Sequence, residues 1–117
     1  MVHISVHRQD VDIDRWKPVK DYAIDASIPL TTRFADFDPL GHVNNTMYFN
    51  YLETLVWRCQ PEHRIGSLNI EFTREIDQEV QHIQTGLRKR DEGCDFKIFN
   101  DDKVFAAGDM VLTPKVG

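Results

Sequence analysis

The sequence offers little with which to brace a fold covalently or to mark a destination. Two cysteines, Cys59 and Cys94, are spread through 117 residues, with no CxxC pair and no His/Cys cluster at zinc spacing. Thiols this sparse read as buried or half-buried side chains in a reducing compartment. No segment approaches the ~18 apolar residues of a membrane span, and the start, "MVHISVHRQD", lacks the apolar core of a signal peptide. Both absences point to a cytoplasmic chain with no membrane role, for which the "NNT" at Asn44 to Thr46 is no glycosylation site. Cations are also in deficit: 14 Lys and Arg face 19 Asp and Glu, a net charge of −5. With no basic excess to neutralise phosphates, the chain does not read as a nucleic-acid binder. Internal repeats and low-complexity tracts are absent.

What is present suits one globular core. Hydrophobic residues make up 41% and charged residues 28%, ordinary proportions for a folded domain. Residues 7–21, "HRQDVDIDRWKPVKD", are mostly polar and aperiodic. Residues 1–25 therefore read as an extension or strap, with Val11, Ile13 and Trp16 available for local packing, and residues 26–117 as a single domain. In "IPLTTRFAD" alternation places Ile28, Leu30, Thr32 and Phe34 on one face of a strand, with Pro29 near its start or at an edge. "DPLG" is turn chemistry. "NNTMYFNYLETLVWR" predicts a helix of roughly four turns. An asparagine caps it, Met47, Tyr48, Tyr51, Leu52, Leu55 and Val56 recur at helical spacing, and Pro61 helps to end it.

Only strand signals follow. "SLNIEFTRE" turns Leu68, Ile70 and Phe72 to one face, and the same alternation puts Glu71, Thr73 and Glu75 on the other. "EVQHIQTGLRKR", "CDFKIF" and "VFAAGDMVLTP" continue the series, joined by turns at "DEG" and "NDDK". The fold class is α+β: a five-stranded antiparallel sheet wrapped around one long central helix. The edges of so small a sheet predict pairing between copies, giving a homodimer or tetramer.

The segment "FADFDPLGHVNNTMYFNYLE" (Phe34 to Glu53) holds more chemistry than a turn requires. A calcium loop beginning at Asp36 fails, because Leu40 and Met47 stand where oxygen ligands belong. Asp36, Asp38 and His42 are suitable types for a divalent transition metal, but no further ligand is near in sequence. The third reading is acyl chemistry at a helix N-terminus. A helix starting near Val43 or Asn44 exposes free amides and a partial positive charge, which can hold the oxygen of a polarised carbonyl. A neighbouring carboxylate, Asp38, can attack that carbonyl or activate water. Gly41 permits close backbone approach, and His42 can hydrogen-bond the carbonyl, the water or the carboxylate.

The pattern D-x-D-x-x-G-H-V-N-N-x-x-Y-x-x-Y-x-E resembles the active-site turn and central helix of hotdog-fold thioesterases, over about residues 26–114. In the 4-hydroxybenzoyl-CoA thioesterase type, the aspartate of "DP" is the catalytic carboxylate, which falls on Asp38. In acyl-ACP thioesterases the second hotdog half carries D-x-N-x-H and then E-Y-x-R-E. Asp38 and His42 match the first motif, with Leu40 at the asparagine position. "EFTRE" matches the second, so that Glu75 takes the acidic position.

The resemblance implies a thioester hydrolase acting on acyl-CoA or acyl-ACP, with Asp38, His42 and Glu75 as catalytic residues. Gly41, Val43, Asn44 and Asn45 would surround the carbonyl, and Met47, Tyr48 and Tyr51 would line an acyl groove along the helix. It implies no metal or cofactor beyond the coenzyme A or phosphopantetheine that the substrate carries. The acyl carrier protein is a possible partner, reached through "RKR" at Arg88 to Arg90. Each residue also has an ordinary reading. Asp38 and Asp36 can brace the turn, His42 can be a packed ring, and Asn44 or Asn45 a cap. Glu53 and Glu75 can be solvated carboxylates, and "RKR" a solvated strand end. A non-catalytic acyl-binding module is the alternative function.

Overall fold

Apolar alternation becomes regular structure over most of the chain. The structure, a computed structural model, describes residues 2–8 and 16–116; the expected packing of Val11 and Ile13 falls outside these. Strand β1 is His3–Arg8, β2 is Ala26–Thr31, helix α1 is Asn45–Cys59, β3 is His63–Phe72, β4 is His82–Lys89, β5 is Gly93–Asn100 and β6 is Lys103–Pro114. The sheet order is β1-β3-β6-β5-β4-β2. The last five are antiparallel neighbours, as alternation and short turns predict. The expectation of five antiparallel strands is corrected by β1, which lies parallel to β3 and makes the sheet six-stranded and mixed. Pairs such as Ile4 with Leu68 and Val6 with Ile70 set that register. Composition hid this strand, because the polar run after Arg8 masks a short alternating "HISVHR".

One face of the sheet curves around α1. Leu52, Leu55 and Val56 of the helix pack in one buried cluster with Ile70, Ile83, Leu87, Phe96 and Ile98. Burial of side chains this size stabilises by about 1.5–3 kcal/mol each, so this seam is the main source of stability. Asn44 caps the helix, its side-chain oxygen accepting from the Thr46 amide at 3.1 Å.

The outer face is polar and is crossed by residues 16–25. Trp16 Nε1 donates to Asp109 at 2.9 Å and Lys20 Nζ to buried Glu71 at 3.1 Å. The Tyr22 ring sits under Arg88 and Lys97. Asp25 accepts from the Lys89 amide at 2.7 Å. Asp95, also buried, is held by Arg88 and Arg90. Two of the three "RKR" cations thus pair with an internal carboxylate, with the Arg90 side chain still 54% exposed.

Two expected strands end early. β2 stops at Thr31, and a short 3-10 turn at Phe34–Asp36 leaves Phe34 exposed instead of continuing the inward face. The cause is Asp36, whose carboxylate turns inward and is fully buried. It accepts from Tyr51 Oη at 2.7 Å, from the Arg33 amide at 3.0 Å and from the Arg33 guanidinium at 3.1 Å. The Asp36 carbonyl takes the Asn44 amide at 2.8 Å. β3 likewise stops at Phe72, because the Thr73 and Arg74 amides both turn to Phe105 O.

Tyr51→Phe removes the helix's bond to Asp36 without changing the volume of the ring. A buried carboxylate left short of one donor costs about 1–3 kcal/mol. Chemical denaturation is expected to show that loss, and unchanged stability would mean that the contact is incidental.

Candidate active site

The turn before the helix is built by Asp38. Its amide pairs with His42 O at 2.8 Å, and its carbonyl accepts from Gly41 N at 3.0 Å. Its Oδ1 accepts from the Leu40 amide at 2.9 Å and the His42 amide at 3.2 Å. Gly41 closes the turn at φ +85, a conformation that only glycine adopts without strain. This fixes one oxygen of Asp38. The other oxygen has no partner among the described residues, and the side chain is half-buried.

His42 reaches in the other direction. Its Nε2 lies 3.1 Å from Glu75 Oε2. Glu75 sits beyond the end of β3, so strand alternation no longer governs it. It does not share the outer face with Glu71, which is buried under Lys20; it swings to the mouth of the cleft instead. With the Glu75 side chain 72% exposed, the pair adds little stability, and its evident consequence is to orient the imidazole.

The backbone around the helix start is almost fully engaged, which narrows an expectation. The Val43 amide pairs with Ile76 O and the Asn44 amide with Asp36 O, both at 2.8 Å. Thr46 and Met47 donate to Asn44 itself. The Val43 and Asn44 amides are therefore not available to a ligand, because the loop after β3 and the Asp36 turn hold them. Between Asp36 and Met47, the Asn45 amide is left without a partner among the described residues. It stands at the positive end of a helix 15 residues long, where negative charge is favoured.

These groups share a cleft of about 500 Å³ lined by Asp38, Leu40, His42, Val43, Asn44, Asn45, Tyr48, Phe72, Thr73, Arg74 and Glu75. Of the residues singled out from sequence, seven line it. Gly41 supports it from within the turn. Tyr51 does not line it, since its phenol is buried against Asp36; burial, then that hydrogen bond, pushes its pKa above the usual tyrosine range. Tyr48 walls the cleft as a neutral phenol, its pKa pushed up to about 12 by burial, with a backbone hydrogen bond from Ile76 opposing and the Glu75 charge adding. Met47 does not line it either. Leu40 lines it from the asparagine position of the motif; Phe72, Thr73 and Arg74 were not anticipated, and the motif "TRE" next to Glu75 was the available signal for the last two.

No group of three or more His, Cys, Asp or Glu side chains among the described residues is placed to share a metal ion. Asp36 in particular faces Tyr51 and Arg33, away from Asp38. Cys94 is buried among core side chains, and burial pushes its pKa up to about 12. No helix among the described residues is long and apolar enough to cross a membrane.

Comparisons with known proteins agree with this architecture. No curated protein sequence matches the chain. Among solved structures, a thioesterase from Thermus thermophilus, determined with coenzyme A and Zn, superposes with a TM-score of 0.67 at 21% identity, covering 80% of this chain and 81% of that one. A 12:0-ACP thioesterase from Umbellularia californica superposes with a TM-score of 0.70 at 22% identity, over 92% of this chain. The aligned region spans only 42% of the plant enzyme. At these identities the likeness establishes the hotdog fold. The family model for the acyl-ACP thioesterase C-terminal domain matches residues 19–111, and the chain therefore belongs to that family.

Proposed function

We propose that this domain hydrolyses an acyl thioester carried on coenzyme A or on the phosphopantetheine of an acyl carrier protein. The observation that carries the reading is the convergence of Asp38, His42 and the Asn45 amide on one cleft at the helix start. The thioester carbonyl oxygen rests at the Asn45 amide, where the helix terminus stabilises the negative charge that develops as the carbonyl is attacked. Asp38, with Oδ1 held by two amides, presents Oδ2 to a water and takes its proton as the C–O bond forms. Direct attack by the carboxylate is the variant of the same geometry. Collapse of the tetrahedral species breaks the C–S bond, and the departing thiolate takes back the proton that Asp38 removed from the water. With His42 Nε2 directed to Glu75, Nδ1 is the ring nitrogen left to face the attacking water. The unit proposed to act is a homodimer or tetramer in which copies meet at exposed sheet edges.

A second reading has one observation in its favour. Leu40, exposed at the cleft mouth, occupies the position where related enzymes carry an asparagine, so binding without hydrolysis is the competing function. Tight binding of acyl thioesters with no thiol release would select it.

Asp38→Asn separates chemistry from bracing, because an amide oxygen still accepts from Leu40 and His42. Against a panel of acyl-CoA and acyl-ACP thioesters, thiol release is expected to fall about 10²- to 10⁴-fold with an unchanged melting temperature. Equal turnover would remove Asp38 from its role. Glu75 is expected to act through His42. Glu75→Gln therefore lowers kcat in the native background and has no further effect on His42→Ala; additive losses would assign the two residues separate functions.

A further inference from the structure

The N-terminal strand carries a feature that the cleft chemistry does not use. β1 pairs with β3 so that Ile4 and Val6 stand beside Leu68 and Ile70 on the face that the helix covers. Leu68 and Ile70 are buried under the helix, whereas Ile4 is 44% and Val6 58% exposed. The helix reaches across β3 but not across β1, which leaves an apolar shelf projecting beyond it. Helix and shelf bound a groove of about 440 Å³, walled by Ile4, Val6, Phe49, Leu68 and Ile70. It shares Asn45, Tyr48 and Phe72 with the Asp38 cleft. The Tyr48 and Phe72 rings, 4.9 Å apart edge to face, form the common wall.

We infer that this groove receives the acyl chain and that Ile4 and Val6 of β1 set its preferred length, an assignment that rests on the hydrolase reading of the adjoining cleft. The occupant follows from continuity. A chain attached to a carbonyl at Asn45 has a polar end among Asp38 and His42, and past Tyr48 it meets mainly the aliphatic and aromatic side chains of Ile4, Val6, Phe49, Leu68 and Ile70, with Thr46 and Asn50 on the helix side. An alkyl chain laid there covers the two exposed side chains, which offsets the cost of leaving them in water. Short acyl groups end before the shelf and are indifferent to it. Long ones touch β1. Of the residues read from sequence as the groove, Tyr48 lines it and Met47 and Tyr51 do not.

The test compares S-dodecyl and S-butyl thioethers of pantetheine, which cannot be hydrolysed, in calorimetric titrations of the native chain and of Val6→Asp, Val6→Thr and Ile4→Trp. Val6→Thr keeps size and strand preference, so it reports even if the aspartate disturbs β1. Dodecyl affinity is expected to fall roughly tenfold or more in the variants, with butyl affinity unchanged. An unchanged dodecyl-to-butyl ratio would overturn the assignment. So would a variant that alters only the mass in solution, which would make the shelf an interface between proteins. Thiol release from the matching lauroyl and butyryl thioesters, measured in parallel, judges the hydrolase reading separately.

Discussion

The arrangement depends on a single buried carboxylate. Asp36 joins three parts of the chain: the end of β2 through Arg33, the helix through Tyr51, and the helix cap through its own carbonyl and the Asn44 amide. A buried polar group left unpaired is costly, so these bonds stand or fall together, and they define the angle at which the loop enters the helix. Given that angle, Asp38 and His42 emerge on the side where Glu75 and the Asn45 amide lie. The residue that supports the site is thus one turn away from the residues that would perform chemistry in it.

Much of this was legible in the sequence, and the misses have identifiable causes. The five antiparallel strands and the central helix follow from alternation and helical spacing, signals that depend only on which face is buried. Asp38, His42, Asn44 and Asn45 were located by turn and cap chemistry, which is local. Three features depend on partners distant in sequence. Alternation extended past Phe72 puts Glu75 on the outer face, whereas the likeness of "EFTRE" puts it in the site; the Thr73 and Arg74 amides donate to Phe105 on another strand and end the ladder there. Tyr51 was assigned to the groove because helical spacing shows which face of a helix is apolar but not which neighbour meets it. β1 was missed because six residues of alternation are too short to stand out beside a polar run. Each miss involves a partner distant in sequence.

The two faces of the sheet use different physics. Inside, contact between aliphatic and aromatic side chains around Leu52 and Phe96 is non-directional and tolerant of small changes. Outside, Glu71 and half-buried Asp109 accept directional bonds from Lys20 and Trp16 of residues 16–25, while Asp95 is held by Arg88 and Arg90 on the β4 side of the sheet. A buried carboxylate paired as Glu71 is with Lys20 contributes more to fixing one path of the crossing segment than to net stability, given the cost of removing charge from water. That crossing leads from the neighbourhood of β1 to the start of β2, and so connects the wall of the apolar groove to the turn held by Asp36.

The central claim is that an acyl carbonyl is held at the start of the helix, within reach of Asp38. A crystal structure with a ketone analogue of an acyl-pantetheine thioester tests it most directly. The account predicts the ketone oxygen within about 3 Å of the Asn45 amide nitrogen, with Asp38 Oδ2 facing the carbonyl carbon or a water beside it. A carbonyl bound elsewhere, for instance beside Trp57 and His63 at the far end of the helix, would contradict it.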